Sequence, residues 1–174
     1  MTSYSGQARI QGKGRRVTIR PLEDGDLAIM GPWYPEAVEA VQGIVPEVET
    51  LAEHRRRVAA AEGCLLAIVT TGERPVGLLE YRIDLPAEGC LAIPFLAVVP
   101  ERRGHGLGDE SVLLLEGAAQ RQGLARSFAA PVPLTNGWAL YFWLRLGYSP
   151  LRGDMKGSDW PAGYTWMIRN REGG

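Results

Sequence analysis

Lysine is almost missing from this chain: Lys13 and Lys156 are the only two, so nearly all positive charge is arginine. That disfavours chemistry carried by a buried lysine. Cysteine and histidine are as scarce. Cys64, Cys90, His54 and His105 stand at no spacing that suits zinc, and two thiols are too few for a disulfide framework. The expectation is a reducing, cytoplasmic setting and no metal. No segment approaches the ~20 consecutive apolar residues of a membrane span, and Met1 to Arg16 has no apolar stretch of signal-peptide length. An excess of either charge is also missing: 19 basic and 20 acidic side chains leave a formal charge of −1. Such a chain has no global field for gripping nucleic acid or an anionic membrane, so any anion site must be local.

What the sequence does have is glycine, 22 in 174 residues, beside 12 prolines and with no Gly-X-Y period. That composition calls for tight turns and at least one glycine-built loop. With 45% hydrophobic and 22% charged residues, the chain has the make-up of a globular protein of one-domain length. Residues 1–14 are polar and glycine-rich and read as a flexible lead-in, leaving residues 15–170 as a single domain. Arg16 to Arg20 alternates and is β-branched, predicting a strand, and Pro21, Asp24 and Asp26 open a helix towards Met30. Trp33 to Gln42 and Pro46 to Glu62 read as helices, with Arg55 to Arg57 a solvated face paired with Glu49 and Glu53. Three strands follow, at Cys64 to Thr71, Pro75 to Leu85 and Gly89 to Val99. Pro94 removes a ladder donor from the last of them, which predicts a bulge or an edge there. Gly106 to Gln122 is a helix, Ser127 to Val132 a strand, Asn136 to Leu146 an aromatic-rich helix, and Tyr148 to Leu151 and Tyr164 to Arg169 are closing strands. This order gives a mixed α/β sheet rather than a regular alternation.

The most informative stretch is Leu96-Ala97-Val98-Val99-Pro100-Glu101-Arg102-Arg103-Gly104-His105-Gly106-Leu107-Gly108, an apolar strand passing through a glycine loop into a helix. Glycines let the backbone approach oxygen atoms closely, and a helix N-terminus adds unpaired N–H donors with about half a positive charge. Pyrophosphate suits such a loop. The dinucleotide fingerprint G-x-G-x-x-G fails, because its third glycine would fall on Asp109 or Ser111, and no Gly-Lys-Ser or Gly-Lys-Thr makes a P-loop.

Arg103-Gly104-His105-Gly106-Leu107-Gly108 resembles motif A of the GNAT superfamily of N-acetyltransferases, R/Q-x-x-G-x-G/A. The preceding Leu-Ala-Val-Val-Pro is similar to the family's fourth strand. Asn136-x-x-Ala139-x-x-Phe142-Trp143-x-Arg145-Leu146-Gly147-Tyr148 looks like motif B, and Val17-Thr18-Ile19-Arg20-Pro21-Leu22 followed by Asp26 is a typical family opening. The resemblance runs in order from residue 16 to residue 150. It implies an α/β single domain whose mixed, mostly antiparallel twisted sheet is flanked by helices and splayed between strands 4 and 5, here Gly89 to Val99 and Ser127 to Val132. Acetyl-CoA would lie in the opening, with the backbone of Leu96 and Val98 on its pantetheine arm and thioester. Arg103, Gly104, His105, Gly106, Leu107 and Gly108 would hold the pyrophosphate. Asn136 would lie beside the pantetheine, although its residue type equally suits a helix start, and Trp143 would touch the cofactor. The implied reaction is acetyl transfer from acetyl-CoA to a primary amine, on a small molecule or a peptide, by direct attack in a ternary complex. A homodimer is left open. Two alternatives stand beside this reading: a non-catalytic acyl-CoA-binding and sensing domain of the same fold, and a nucleotide-binding regulatory module.

The sequence also departs from the pattern. Asp109 and Glu110 would sit near two phosphates, where relatives often place a basic residue, which would weaken cofactor affinity. Trp143 stands where many relatives have a tyrosine that protonates the departing thiolate, and an indole N–H cannot titrate near neutral pH. Tyr141, about 200° around the helix from Trp143, should face away from it. Trp138 and Phe142 read as core packing. An amine must lose a proton before attack, so a base is needed. Glu80, on one strand face with Arg82 and Asp84, is the first candidate, with a plain surface pairing to Arg82 as the bland alternative; Glu88 is the reserve, and water the third choice. His54 reads as a helix-surface residue and His105 as a loop residue near phosphate. Glu36, Glu39, Glu47 and Glu49, with Trp33 and Tyr34, make the expected acceptor wall acidic, which suits a cationic acceptor; solvated helix residues would give the same pattern.

Overall fold

The computed structural model describes residues 9–41, 49–151 and 162–170. Its strands are β1 (Gly12–Lys13), β2 (Thr18–Pro21), β3 (Cys64–Thr71), β4 (Arg74–Ile83), β5 (Cys90–Val98), β6 (Ser127–Pro133), β7 (Ser149–Pro150) and β8 (Tyr164–Asn170). The helices are α1 (Asp24–Met30), α2 (Tyr34–Val41), α3 (Leu51–Ala59), α4 (Leu107–Arg121) and α5 (Gly137–Arg145). One eight-stranded sheet runs β1-β2-β3-β4-β5-β6-β8-β7, and every neighbouring pair is antiparallel except β5 with β6.

Alternation along the strands sorts the core into two layers. Ala67, Val69, Leu79 and Tyr81 face one side, where α4 contributes Val112, Leu115 and Ala119 and α5 contributes Trp143. Leu66, Ile68 and Leu78 face the other, where Met30, Tyr34, Ala37, Leu51 and Val58 of the first three helices cover them. Residues 9–13, assigned from the sequence to the flexible lead-in, are packed in the structure. Ile10 is buried, its N–H donates to the Tyr81 hydroxyl at 2.8 Å, and β1 pairs with β2. One buried isoleucine among polar residues is too little pattern to announce this. Residues 1–8 lie outside the described residues.

The helix expected from Pro46 to Glu62 is shorter, running from Leu51 to Ala59. Thr50 starts it: its hydroxyl accepts the Glu53 N–H while the Glu53 carboxylate accepts the Thr50 N–H, a reciprocal capping box. Between α1 and α2 lies a single 3₁₀ turn, Gly31–Trp33, with Pro32 in its first positions, so the two helices follow one another directly.

The sheet parts where the sequence calls for it. β5 and β6 pair at Cys90 with Ser127, Leu91 with Phe128 and Ala92 with Ala129, and no further. Continuing that register would set Pro94 opposite Pro131. Neither proline has an N–H to give, so the ladder has no donors there. On its other edge β5 pairs Ala92 with Arg82 and Phe95 with Glu80, so it advances three residues while β4 advances two. The extra residue is the bulge predicted at Pro94.

Candidate active site

Beyond Ala92 the parted strands enclose a cavity of about 360 Å³, lined by Pro94, Leu96 and Val98 of β5, Pro131 and Pro133 of β6, the glycine loop and the inner face of α5. Leu96, Val98, Arg103, Gly104, Gly106, Leu107, Gly108, Asn136 and Trp143, nine of the ten residues expected to meet a cofactor, are brought together on its walls. His105 is the exception. Its side chain is exposed outside the cavity, with Nδ1 2.8 Å from the Arg103 carbonyl oxygen.

The loop is shaped by backbone requirements. Gly104 and Gly106 have φ of 75° and 73°, the left-handed region that disfavours any residue with a Cβ. Gly106 is the N-cap of α4, and no side chain caps that helix. The first-turn N–H groups of Leu107, Gly108 and Asp109 therefore lack an intrahelical partner and open on an uncapped terminus. Gly108 is under no such constraint: a Cβ there would meet Phe142 Cε2 at 3.4 Å, ordinary contact, so only a larger side chain would press on α5.

Arg16, which the sequence reading passed over, braces the loop from outside. Its guanidinium donates to the carbonyls of His105 at 2.6 Å and Gly106 at 3.3 Å, and its Nε to Glu110 at 2.8 Å. Glu110 also accepts the N–H groups of Arg16 and Val17. Burial pushes the Glu110 carboxyl up, but these donors outweigh it and hold the group below the ordinary carboxylate range. Asp109 is likewise occupied, 2.6 Å from Arg145 Nη2. The two acids expected to repel phosphate are each neutralised by an arginine from another part of the chain.

Asn136 combines both roles open to it. Its Oδ1 accepts the Ala139 N–H at 3.0 Å as the cap of α5, and its Nδ2 donates to the Ala40 carbonyl at 3.1 Å, tying α5 to α2 across the cavity. Trp143 is 6% exposed and packs edge-on against Phe142 and Tyr148, at centroid distances of 5.1 and 4.8 Å. Tyr141 points outward as its helical position requires. Trp138, expected in the core, is 86% exposed at the cavity rim.

The two carboxylates proposed as bases are not at the cavity. Glu88 is exposed in the β4–β5 turn, at the opposite end of β5 from the glycine loop. Glu80 is fully buried on the face of the sheet covered by α1 to α3, and this is no surface pairing: Oε2 is 2.8 Å from His54 Nε2 and Oε1 accepts Arg82 Nε at 2.7 Å. Burial raises its carboxyl, while His54 and Arg82 together lower it further, leaving it below the usual range. His54, read as a surface residue, is 0% exposed; its Nδ1 lies 3.0 Å from the Tyr34 hydroxyl and its ring meets Phe95 edge-on. A histidine on the inner face of α3 differs from an outer one only in helical phase, which Leu51 and Val58, at three before and four after, supply. Of the acidic wall, Glu36 lies 3.5 Å from Arg103 Nη2 and Glu49 is paired with Arg57; Glu47, with the rest of residues 42–48, lies outside the described residues. Among the described residues no group of three or more His, Cys, Asp or Glu is placed to hold a metal ion, and no helix is long and apolar enough to cross a membrane.

A family model described as the acetyltransferase (GNAT) family matches residues 31–148. The chain belongs to that family. Solved GNAT structures share its fold. An acetyltransferase from Thermus thermophilus superposes with a TM-score of 0.70 at 19% identity, covering 90% of this chain and 97% of that one. Aminoglycoside acetyltransferase AAC(6')-Ib, in complex with coenzyme A, gives 0.71 at 21% identity, covering 89% and 95%. PaiA N-acetyltransferase from Thermoplasma acidophilum, also with coenzyme A, gives 0.65 at 17%, covering 89% and 99%. No curated protein matches the chain. In this GNAT chain the motif A loop, the parted strands and the motif B helix all converge on one cavity.

Proposed function

We propose that this GNAT protein transfers an acetyl group from acetyl-CoA to a primary amine, both bound at once. The observation that carries the reading is the proline-parted β5–β6 gap opening directly onto an uncapped helix terminus. A gap between strands suits an extended pantetheine arm, which can meet backbone groups that no strand reaches. The loop from Arg103 to Gly108 then takes the pyrophosphate, through its backbone more than through His105. Leu96 and Val98 contact the pantetheine and thioester through their backbone, and Asn136 and Trp143 line the arm. Coenzyme A in the AAC(6')-Ib and PaiA structures supports the same ligand here.

The amine nitrogen bonds to the thioester carbonyl carbon, the tetrahedral intermediate collapses, and the C–S bond breaks to release CoA as a thiolate. Orientation and backbone stabilisation of the oxyanion supply most of the acceleration, and no enzyme nucleophile is required. Among the described residues the only carboxylate lining the cavity is Asp109, which Arg145 holds. We therefore assign the amine proton to water, and Glu80 to holding His54 and the back of β5. Two buried free thiols fit a reducing cytoplasm. The acceptor class we favour is a small-molecule or peptide amine.

Isothermal titration with acetyl-CoA, followed by CoA release across a panel of polyamines, aminoglycosides and peptides, tests this reading. Micromolar binding with turnover on at least one amine is expected. No binding at millimolar acetyl-CoA would overturn it, and binding without turnover on any amine would favour a sensing domain.

A further inference from the structure

The helix α5 is apolar on two faces. Ala139, Leu140, Phe142 and Trp143 pack against the core. The opposite face stands in solvent: Trp138 is 86% exposed, Tyr141 62% and Leu144 51%, with Leu134 just before the helix at 60%. Of the six large apolar side chains exposed among the described residues, four thus lie in one short stretch of chain. At about 100° per residue, Trp138, Tyr141 and Leu144 fall within about 120° of one another and form a single outward stripe. Taking an aromatic side chain as about 200 Å² and a leucine as somewhat less, the four expose roughly 500 Å², near the upper end of what a monomer leaves uncovered.

We propose that this face binds a second copy of the chain, with α5 packed antiparallel on the partner's α5 about a two-fold axis at Tyr141. Such an axis sets each residue against the one equally far beyond Tyr141 on the other helix, and it demands a surface that matches itself. The stripe does. Trp138, three positions before Tyr141, meets the partner's Leu144, three positions after it, and the symmetric contact repeats the pair. Gly137, four before, faces the partner's Arg145, four after; a Cβ on Gly137 would have nothing within 4 Å, so the glycine leaves room for the long arginine stem. Arg145 is the one charged residue of α5, and Asp109 of the same chain already neutralises it, so the axis brings no unmatched like charges together. A lipid surface would ask for several lysines or arginines beside the aromatic stripe, which α5 does not have. The two copies together cover roughly 1,000 Å² through these side chains, and their flanking residues bring the contact to the ~1,200 Å² at which specific interfaces begin. That predicts a dimer in the micromolar range. Trp138 also lines the cavity rim, so the partner's Leu144 then stands at the edge of the site. None of this depends on which ligand the cavity takes.

The test is sedimentation velocity of the full chain from low micromolar to a few hundred micromolar, with Trp138→Ser and Tyr141→Asp beside wild type. Wild type should pass from monomer to dimer across this range. Trp138→Ser should raise the dissociation constant by about tenfold, and Tyr141→Asp, which sets two carboxylates face to face at the axis, should leave only monomer. The register has its own check in Tyr141→Cys oxidised with diamide. Helices packed 8–10 Å apart bring residues on the axis within disulfide reach, so this variant should cross-link to itself, whereas Arg121→Cys at the far end of α4 should not. The native thiols, Cys64 and Cys90, are buried and give no background. All substituted side chains are exposed, and thermal melts close to wild type would confirm that the variants fold. A wild type that stays monomeric throughout overturns the proposal, and a dimer indifferent to both Trp138→Ser and Tyr141→Asp places the interface elsewhere and overturns it too. Cross-linking of Arg121→Cys as fast as Tyr141→Cys overturns the two-fold register. Monomer that co-sediments with phosphatidylserine vesicles through Trp138 would give the face to a membrane instead.

Discussion

His54 and Glu80 meet at 2.8 Å, and neither side chain has any exposure to solvent. The pair links α3 to β4, and through Tyr34 and Arg82 it joins the start of α2 to the end of β4. Nε2 of His54 thus faces the Glu80 carboxylate and Nδ1 the Tyr34 hydroxyl, so both ring nitrogens are occupied. The tyrosine is suited to donating: burial first, then the nearby Glu49, pushes its phenol well above the ordinary value.

Removing one partner from this chain should cost far more stability than activity. His54→Ala leaves the Glu80 carboxylate without one of its two side-chain partners in a dry site, and a loss of about 3–5 kcal/mol is expected in urea unfolding. Glu80→Gln should unfold earlier in urea yet keep the shape of the wild-type pH–rate profile. Disappearance of the profile's rising limb in Glu80→Gln would make Glu80 the base after all.

The acid limb of stability follows from three carboxylates. Asp26 is held down first by its hydrogen bonds with Arg20; in Glu80 and Glu110 burial raises the carboxyl, and their basic and backbone donors more than reverse it. Each folded pKa lies below its unfolded value, so the unfolded chain binds protons first. The stability they contribute is complete above the ordinary carboxylate range of about 4 and is lost as pH falls through their lower folded values. Melting temperature should therefore be nearly flat from pH 7 to 5 and drop steeply below 4. Glu80→Gln should show a shallower drop.

The glycines of the loop should separate into two kinds. Gly106→Ala must hold a side chain at φ 73°, costing about 1–2 kcal/mol, and should reduce acetyl-CoA affinity at least tenfold by reshaping the loop. Gly108→Ala needs only ordinary contact with Phe142 and should bind within a few-fold of wild type, while Gly108→Val should push α5 outward and bind poorly. Titration of all three with acetyl-CoA checks the order.

Trp143 offers packing and no titrating proton. Trp143→Phe should retain turnover within a few-fold with a raised Michaelis constant, since the indole's contacts to Phe142 and Tyr148 are partly lost. Trp143→Tyr should introduce a fall in rate at high pH that wild type lacks, as a phenol able to protonate the thiolate ionises. Loss of activity by orders of magnitude in a folded, acetyl-CoA-binding Trp143→Phe would give the indole a positive role in catalysis.

The sheet, both layers of helices and the cavity-forming loop were legible because each has a local signature. The continuous apolar run from Cys64 to Thr71, the glycines before Leu107 and the proline in β5 are each read from neighbouring residues alone. What escaped was set by pairs far apart in sequence. Arg16 and Glu110 are 94 positions apart, Arg145 and Asp109 are 36, and His54 and Glu80 are 26. No periodicity relates such partners, and a charged residue whose partner is unseen reads as a solvated one. Glu80 was singled out for its strand face, yet its burial depended on which way α3 turned His54.

Three residue pairs, from Cys90–Ser127 to Ala92–Ala129, are all that join β5 to β6. Mechanically the sheet is two leaves stitched along one short seam, with Pro94 and Pro131 preventing the stitching from running on. Such a seam should breathe as a unit, and amide exchange in β6 and β8 should be faster than in β3 and β4. A ligand lying in the gap would act as the missing thread, slowing exchange in both leaves together, so that occupancy of the site is written into the rigidity of strands it never touches.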